Sequence, residues 1–479
     1  LSCLSSIAAD GSDGMPVRLM ESLSTTGPLA ELFSDDSVLQ AMLNFEAALA
    51  RVEGRLGIIP RAAASAIAAA ARTAKLDGAS IASESLQSGT PAIPFLVAFR
   101  EEVRAQAPAA AGFVHWGATS QDLCDTALVL LLQRAQRIFE SDLRRLERAL
   151  QRLSERHKRT AMLGRTWLQA APPVTFGLKA ASWFGAVHRG SQRLTAAFED
   201  CLVLQFGGAS GTLAALEKDG LRIAQALANE LKLACPEAPW HTQRDRLAAL
   251  VCACGVLAGS LGKMARDITL LAQNEIAEVA EPASAGRGGS STMPHKQNPV
   301  GSAMALAAAQ KVPGLVSSFL SAMVQEHERA AGGWQAEGSI VSGIIQNTGL
   351  AIACMAEVAE GLAVNPERMK ANIAATHGVI FAEHASMLLG KKMGRDQAHK
   401  LLEEASLKAV AGKRKLSEIM AETPDIAQHL SGAALRDLEK PEHYLGAAEE
   451  FRRALLAAAR PESSTHNRSK KKPATKKKR

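Results

Sequence analysis

Residues 247–271 read LAALVCACGVLAGSLGKMARDITLL, and within them Leu250, Cys254, Leu257, Leu261, Met264, Ile268 and Leu271 recur at alternating steps of four and three. That spacing keeps all seven on one face of an α-helix over several heptads, the pattern of a helix packed inside a bundle. No proline interrupts residues 240–281, so nothing in the stretch breaks the helix.

The same punctuation extends in both directions. Ser34-Asp35-Asp36 supplies an N-cap and first-turn acids, after which Met42, Phe45, Leu49, Val52 and Leu56 form an apolar stripe. Phe139, Leu143, Leu146, Leu150 and Leu153 form another, inside a span free of proline between Pro108 and Pro172. A further proline-free span covers residues 314–365, and Asn365-Pro366-Glu367 then reads as N-cap, N1 and N2 of a new helix. Aromatic residues make up 4% of the chain, with one Tyr, while Ala and Leu abound, a mixture that favours helices over sheets. At 479 residues the chain exceeds one ordinary core. The expectation is an all-α protein with a small helical domain at 20–112, a long-helix bundle at 113–363 and a small helical domain at 364–460. Residues 1–19 are expected to be disordered or foreign to the natural chain, and 461–479 to be a basic, disordered tail.

The formal charge of +7 would suggest a nucleic-acid binder were it spread over the body. It is not. RSKKKPATKKKR at 468–479 holds eight Lys and Arg and no acid; without it 47 basic residues face 48 acidic ones, a net of −1. The basic signal belongs to the tail, and nucleic acid is not the expected partner. Seven cysteines, at 3, 124, 201, 235, 252, 254 and 354, form no C-x-x-C pair and fit a reduced, cytoplasmic compartment. No apolar stretch approaches 18 residues without a charge or polar break, so no membrane span is expected.

One segment departs from the helical pattern: Gly286-Arg287-Gly288-Gly289-Ser290-Ser291-Thr292-Met293-Pro294-His295-Lys296-Gln297-Asn298-Pro299. Its glycines permit positive φ and its Ser hydroxyls can move protons or donate hydrogen bonds, while Lys296 and Asn298 offer a cation and an amide to a carboxylate. The same residues would also serve as a plain connection between helices. No His, Cys, Asp and Glu cluster has metal-ligand spacing and no glycine pattern cradles a phosphate, so no cofactor and no metal are expected.

Residues 289–299 match G-S-S-x-M-P-x-K-x-N-P throughout, and on that motif the chain resembles the fumarase/aspartase superfamily. Supporting blocks follow in the same order: His115-Trp116-Gly117-Ala118-Thr119-Ser120-Gln121-Asp122, Gly164-Arg165-Thr166-Trp167-Leu168-Gln169, and Gln205-Phe206-Gly207-Gly208-Ala209-Ser210-Gly211. The resemblance covers residues 22–458. It implies a homotetramer with a 20-helix core and active sites that each draw on three subunits. The chemistry it implies removes or adds a proton beside a carboxylate, through an aci-carboxylate. In the roles it implies, Ser290 is the catalytic acid/base and Lys296 and Asn298 hold the carboxylate that gathers charge. Thr119 and Ser120 hold another carboxylate, and Ser291, Thr166 and Gln169 contact substrate.

Many lyases of the superfamily have His in G-R-T-H-L-Q, paired with a Glu thirteen residues after the first loop Ser. Here those positions are Trp167 and Ala303. Losing both halves together resembles the branch that closes a muconate tricarboxylate to a lactone, in which the nucleophile is a carboxylate of the substrate itself and needs no base. Cations are then expected around a small tricarboxylate. The candidates are Arg329, against an ion pair with Glu326 or Glu328; His115, against a satisfied buried His; and Arg244 with His241, against a tie between helices. Trp167 would pack on the planar diene or fill the core. Asp122 and Asp125 are expected to cap or pair, and His295 to steady the loop. Three other readings stay open: a lyase acting on a succinyl-nucleotide, an inactive structural relative, and a polyanion binder led by the tail. Deleting residues 462–479 is expected to leave turnover and oligomeric state unchanged. A dissociated or inactive truncation, seen by gel filtration and assay, would make the tail part of the fold.

Overall fold

The structure, a computed structural model, describes residues 19–283, 288–289, 292–293 and 296–458. Ser290, Ser291 and His295 therefore lie outside the described residues, as do the N-terminal 18 and the last 21. What is described is almost wholly helical, in agreement with the all-α expectation.

Six helices matter for the site. They are α1 (Asp35–Leu56), α2 (Ser120–Arg156), α3 (Phe176–Cys201), α4 (Asp245–Leu271), α5 (Val300–Ala322) and α6 (Gly333–Gly361). Ser34 caps α1, its Oγ accepting from the Ser37 N–H at 3.2 Å, and Asp35 and Asp36 sit in the first turn. In the bundle, α2 lies against α3 and α6; α4 lies against α3, α5 and α6; and α5 lies against α6. The stripe from Leu250 to Leu271 is the centre of this packing, with no member more than 4% exposed. Burying each such side chain contributes about 1.5–3 kcal/mol. Gly190 lets α3 approach, since a Cβ there would stand 2.8 Å from Leu257 Cδ1.

The helices from Leu29 to Phe113 share this core, through the buried stripe Met42, Phe45, Leu49 and Val52. A second core gathers Ala385, Leu389, Leu402, Ala409, Met420, Ile426 and Leu438 near the C-terminus. Asn365 opens the helix between them, its Oδ1 accepting from the Arg368 N–H at 3.0 Å.

Three details differ from the sequence reading. Proline punctuation misplaces one helix: Pro313 lies inside α5, and the chain breaks instead after Ala322, restarting at Gly333. Gly332, at φ +106, supplies a backbone that L-residues rarely adopt. Next, α4, α5 and α6 are each long and apolar enough to cross a membrane, with 18-residue windows of mean hydropathy 1.8, 1.2 and 1.4. Ala, Gly and Leu outweigh their scattered charges. Inside the chain, 56% and 72% of the windows in α4 and α6 are buried but only 22% of that in α5.

The third difference is an antiparallel hairpin, β1 (Ala161–Thr166) and β2 (Gln169–Thr175). Its strands are short, carry Pro172 and Pro173 and lack a clean apolar alternation, so period gives no signal. Thr166 pairs with Gln169, which leaves Trp167 and Leu168 as a two-residue turn at φ +50 and +64. Positive φ at both positions is what a type I′ turn requires. The hairpin base rests on Ile373, Ile380 and Phe381 through Leu163, and Arg165 donates to Glu278 at 2.8 and 3.0 Å.

Leu257→Ala is expected to cost about 2–5 kcal/mol, because α3 and α4 are close-packed there and the cavity cannot collapse. An unchanged urea midpoint would show that the stripe is not the centre of the core.

Candidate active site

Arg329 lies in the connection between α5 and α6 and reaches the start of α2. Its Nη1 donates to Thr119 Oγ1 at 2.5 Å and its Nη2 to Ser120 Oγ at 3.0 Å. The structure thus brings together three of the residues expected to bind a carboxylate. The alternative, an ion pair with Glu326 or Glu328, does not form among the described residues: Glu326 instead accepts from the Ala331 N–H at 3.2 Å.

What holds these three in place is the next turn of α2. Asp122 is fully buried, and its two oxygens accept from the Thr119 N–H at 3.0 Å and from the Gly207 and Gly208 N–H groups at 2.9 Å each. His241 Nε2 lies 2.8 Å from the same carboxylate. One turn later Asp125 receives both terminal nitrogens of Arg244, at 2.8 and 3.1 Å, and the Trp334 indole N–H at 3.0 Å. Arg244 also donates to Glu337, through Nε at 2.9 Å and Nη2 at 2.5 Å. Its guanidinium carbon lies 4.6 Å over the Trp240 ring.

Arg244 corrects one expectation. With 0% of its side chain exposed, its donors turned on two acids and Trp240 against its face, it ties helices and has no free donor for substrate. Burial alone would lower its pKa, but Asp125 and Glu337 more than reverse this and raise it. Burial raises Glu337, against the opposing effect of Arg244. His241 is likewise a tie, and Asp122 and Asp125 cap and pair as expected.

His115 is also held. Its Nδ1 lies 2.6 Å from Glu46 Oε1, with side-chain exposures of 9% and 1%. Glu46 was missed by the sequence reading although it left a signal: with Glu53 it interrupts the buried face of α1 seven residues apart, an acid among Met42, Phe45, Leu49 and Val52. Burial, and then the neighbouring Glu46, push Glu53 up to about 9.

The other expected residues among those described make no hydrogen bond to this cluster within one chain. Trp167 is 98% exposed at the hairpin tip, so it neither fills the core nor meets Arg329; Thr166 and Gln169 beside it are exposed too. Lys296 is exposed and Asn298 half-buried. The Asn298 N–H donates to Gly288 O at 2.8 Å, and Gly288, at φ +70, leaves no room for a Cβ beside Asn298 O. Glu281, also missed, accepts from the Gly301 and Ser302 N–H groups at 2.9 and 2.8 Å and so occupies the N-terminus of α5. Among the described residues no cluster of His, Cys, Asp and Glu could hold a metal. A cavity of about 530 Å³ backs onto Asp125 and Glu337, but its walls are mostly apolar, with Phe33, Met42, Leu128 and Leu131 beside Ser85, Thr90 and Ser339 and no cation, which does not suit a tricarboxylate.

Arg244→Met is expected to destabilise the chain by about 3–5 kcal/mol, because it leaves two buried carboxylates facing each other. A denaturation midpoint equal to that of the unaltered chain would mean that the pair is not what holds this region together.

Known proteins resemble the chain over nearly its whole length. The family model described as lyase matches residues 21–314, and the one described as adenylosuccinate lyase C-terminus matches residues 378–455. A 3-carboxy-cis,cis-muconate cycloisomerase from Pseudomonas aeruginosa is 47% identical, over 92% of this chain and 96% of that protein. One from Bradyrhizobium diazoefficiens is 47% identical, over 88% and 94%. The crystal structure of 3-carboxy-cis,cis-muconate lactonizing enzyme from Pseudomonas putida superposes with a TM-score of 0.86 at 44% identity, covering 92% of this chain and 98% of that one. With the long-helix bundle, the Thr119–Ser120–Arg329 cluster and the loop ending at Pro299 in family order, the chain belongs to the fumarase/aspartase lyase superfamily.

Proposed function

We propose that the chain is a 3-carboxy-cis,cis-muconate cycloisomerase, which closes its substrate to 4-carboxymuconolactone. The observation that carries this reading is a site with an anion-binding cluster and no His–Glu dyad. Arg329 is bonded to Thr119 and Ser120, while position 167 is an exposed Trp and position 303 an exposed Ala. The relatives that bear the same name, at 47% identity, support it.

The reaction is an internal addition. A substrate carboxylate, ionised near neutral pH, attacks the ring-closing carbon and forms the new C–O bond. The displaced π pair moves toward a second carboxyl group and gives an aci-carboxylate. As that collapses, its α carbon takes up one proton, so the atoms of substrate and product balance. Lys296 and Asn298 would stabilise the aci-carboxylate, Thr119, Ser120 and Arg329 would hold a second carboxylate, and Ser290 would supply the proton.

The site is proposed to be completed by other copies in a homotetramer. Two features support this. The apolar helix α5 is mostly uncovered in the single chain, and the Trp167 indole stands in solvent on a turn whose backbone is unfavourable for Trp and Leu. The proposed compartment is the cytoplasm, supported by thiols such as Cys124, Cys201 and Cys254, which are free and pushed up to about 12 by burial.

Mixing the purified protein with 3-carboxymuconate is expected to bleach its ultraviolet absorbance, with no fumarate released from adenylosuccinate or argininosuccinate. Ser290→Ala should lower kcat with KM nearly kept, and Lys296→Met should damage both, by about 10²–10³ in rate. Robust fumarate release would replace the reading with a lyase. Full activity of Lys296→Met would remove the loop from the catalytic machinery.

A further inference from the structure

His115 stands four residues before Thr119, and its ring is fixed from below. Nδ1 lies 2.6 Å from Glu46 Oε1, and both side chains are nearly or fully buried. Among the described residues, Nε2 makes no hydrogen bond within the chain. The backbone that delivers the ring is constrained as well. His115 sits at φ +64 and Gly117 at φ +70, and a Cβ on Gly117 would fall 2.4 Å from Leu216 Cδ2. His is among the non-glycine residues that do enter the left-handed region, and Gly117 beside it has no room for a side chain. Here the constraints engage Nδ1 and leave Nε2 without a hydrogen bond among the described residues.

The carboxylate has no other task. Glu46 Oε2 has no partner, and neither does either oxygen of Glu53, the other acid of this helix face. Glu53, held as the neutral acid at neutral pH, adds no second charge. Among the described residues, buried Glu46 has one imidazole as its hydrogen-bonding partner. A buried carboxylate hydrogen-bonded to one ring nitrogen fixes the tautomer and the angle of an imidazole.

We propose that Glu46 is a positioning residue: it holds His115 so that Nε2–H donates to the substrate carboxylate bound by Thr119, Ser120 and Arg329. The inference rests on the cycloisomerase reading and adds to it a group on α1, outside every motif of the family blocks. Glu46 itself touches no substrate. Its effect passes entirely through His115.

The test is a double-mutant cycle on the full chain with 3-carboxymuconate. Glu46→Gln keeps the packing but removes the charge, and it should lower kcat/KM by about 10- to 100-fold, the weight of one charge-assisted hydrogen bond, mostly through KM. His115→Ala should lose at least as much. In the double variant Glu46→Gln should cost nothing further, because its route to the substrate is gone. Should Glu46→Gln fail to fold, Glu46→Asp, whose carboxylate falls short of Nδ1, carries the same expectation. Additive losses, or kcat/KM within twofold of the unaltered enzyme in either Glu46 variant, would overturn the proposal. If the unaltered chain does not turn over 3-carboxymuconate at all, it is the cycloisomerase reading that fails, which the unaltered-chain control reports separately.

Discussion

Everything at the site hangs from a buried ionic cluster in which one guanidinium, Arg244, lies between two carboxylates, Asp125 and Glu337. Taking such charges out of water costs several kcal/mol per ion, and their attraction offsets this only when the remaining lone pairs are also satisfied. Here they are. Gln121, Gln205 and Trp334 donate to Asp125, and Gln325 donates to Glu337. Each donor comes from a different stretch of chain, so the arrangement fixes where those stretches meet. Gln325 and Trp334 flank the connection that carries Arg329. The cluster therefore grips that connection at both ends and sets the guanidinium of Arg329 against Thr119 and Ser120.

Asp122 repeats the device one turn earlier with no cation of comparable strength. Backbone N–H groups and His241 satisfy its oxygens, and the N-cap of α2 is thereby tied to the Gln205–Gly208 segment. Rigidity at these two turns has a functional value on the cycloisomerase reading. A donor that is already aimed costs no reorganisation when charge develops on the substrate. The N-terminus of α5, which could have offered N–H groups to an anion, is instead taken by Glu281. Those two N–H groups are thus not open to an anion.

The long helices were legible because their stripes are regular. Leu250 to Leu271 is buried along its whole length, and Ser34 and Asn365 cap as their positions imply. Thr119 and Ser120 were legible through a family block and Arg329 as a separate candidate cation; that they meet is seen only in the structure. Other parts were not, for physical reasons. The α5–α6 break depends on Gly332 at φ +106, and sequence does not report φ. The β1–β2 hairpin carries Pro172 and Pro173 and no clean apolar alternation, so it shows no period. Arg244 looked like an anion binder because an Arg beside an aromatic and a His has the same composition whether its partners are substrate or protein. Only the placement of Glu337, 93 residues away, decides between them. Glu46 is the counterexample, since an acid embedded in an apolar stripe was visible and called for a partner.

Trp167 shows how conformation and composition bear on assembly together. A type I′ turn made of Trp and Leu forgoes the Gly or Asn that would hold positive φ at no steric cost, and an L-residue in the left-handed region loses roughly 1–2 kcal/mol. An indole left 98% exposed recovers none of that within one chain. The hairpin is nonetheless braced close to its turn, by Arg165 on the fully buried Glu278, a carboxylate that Asn372 also holds. On the reading proposed above, this strained, apolar tip would deliver a flat ring to a surface outside the chain. On the proposed assembly that surface is another copy's site. There the indole would stand where related lyases carry the imidazole of a proton-transferring pair, and would offer a face to a planar diene in place of a base. A reaction whose nucleophile is already ionised can dispense with the base, and a substrate with three carboxylates gains more from shape and charge than from a second proton carrier. The altered turn and the altered chemistry then have one explanation.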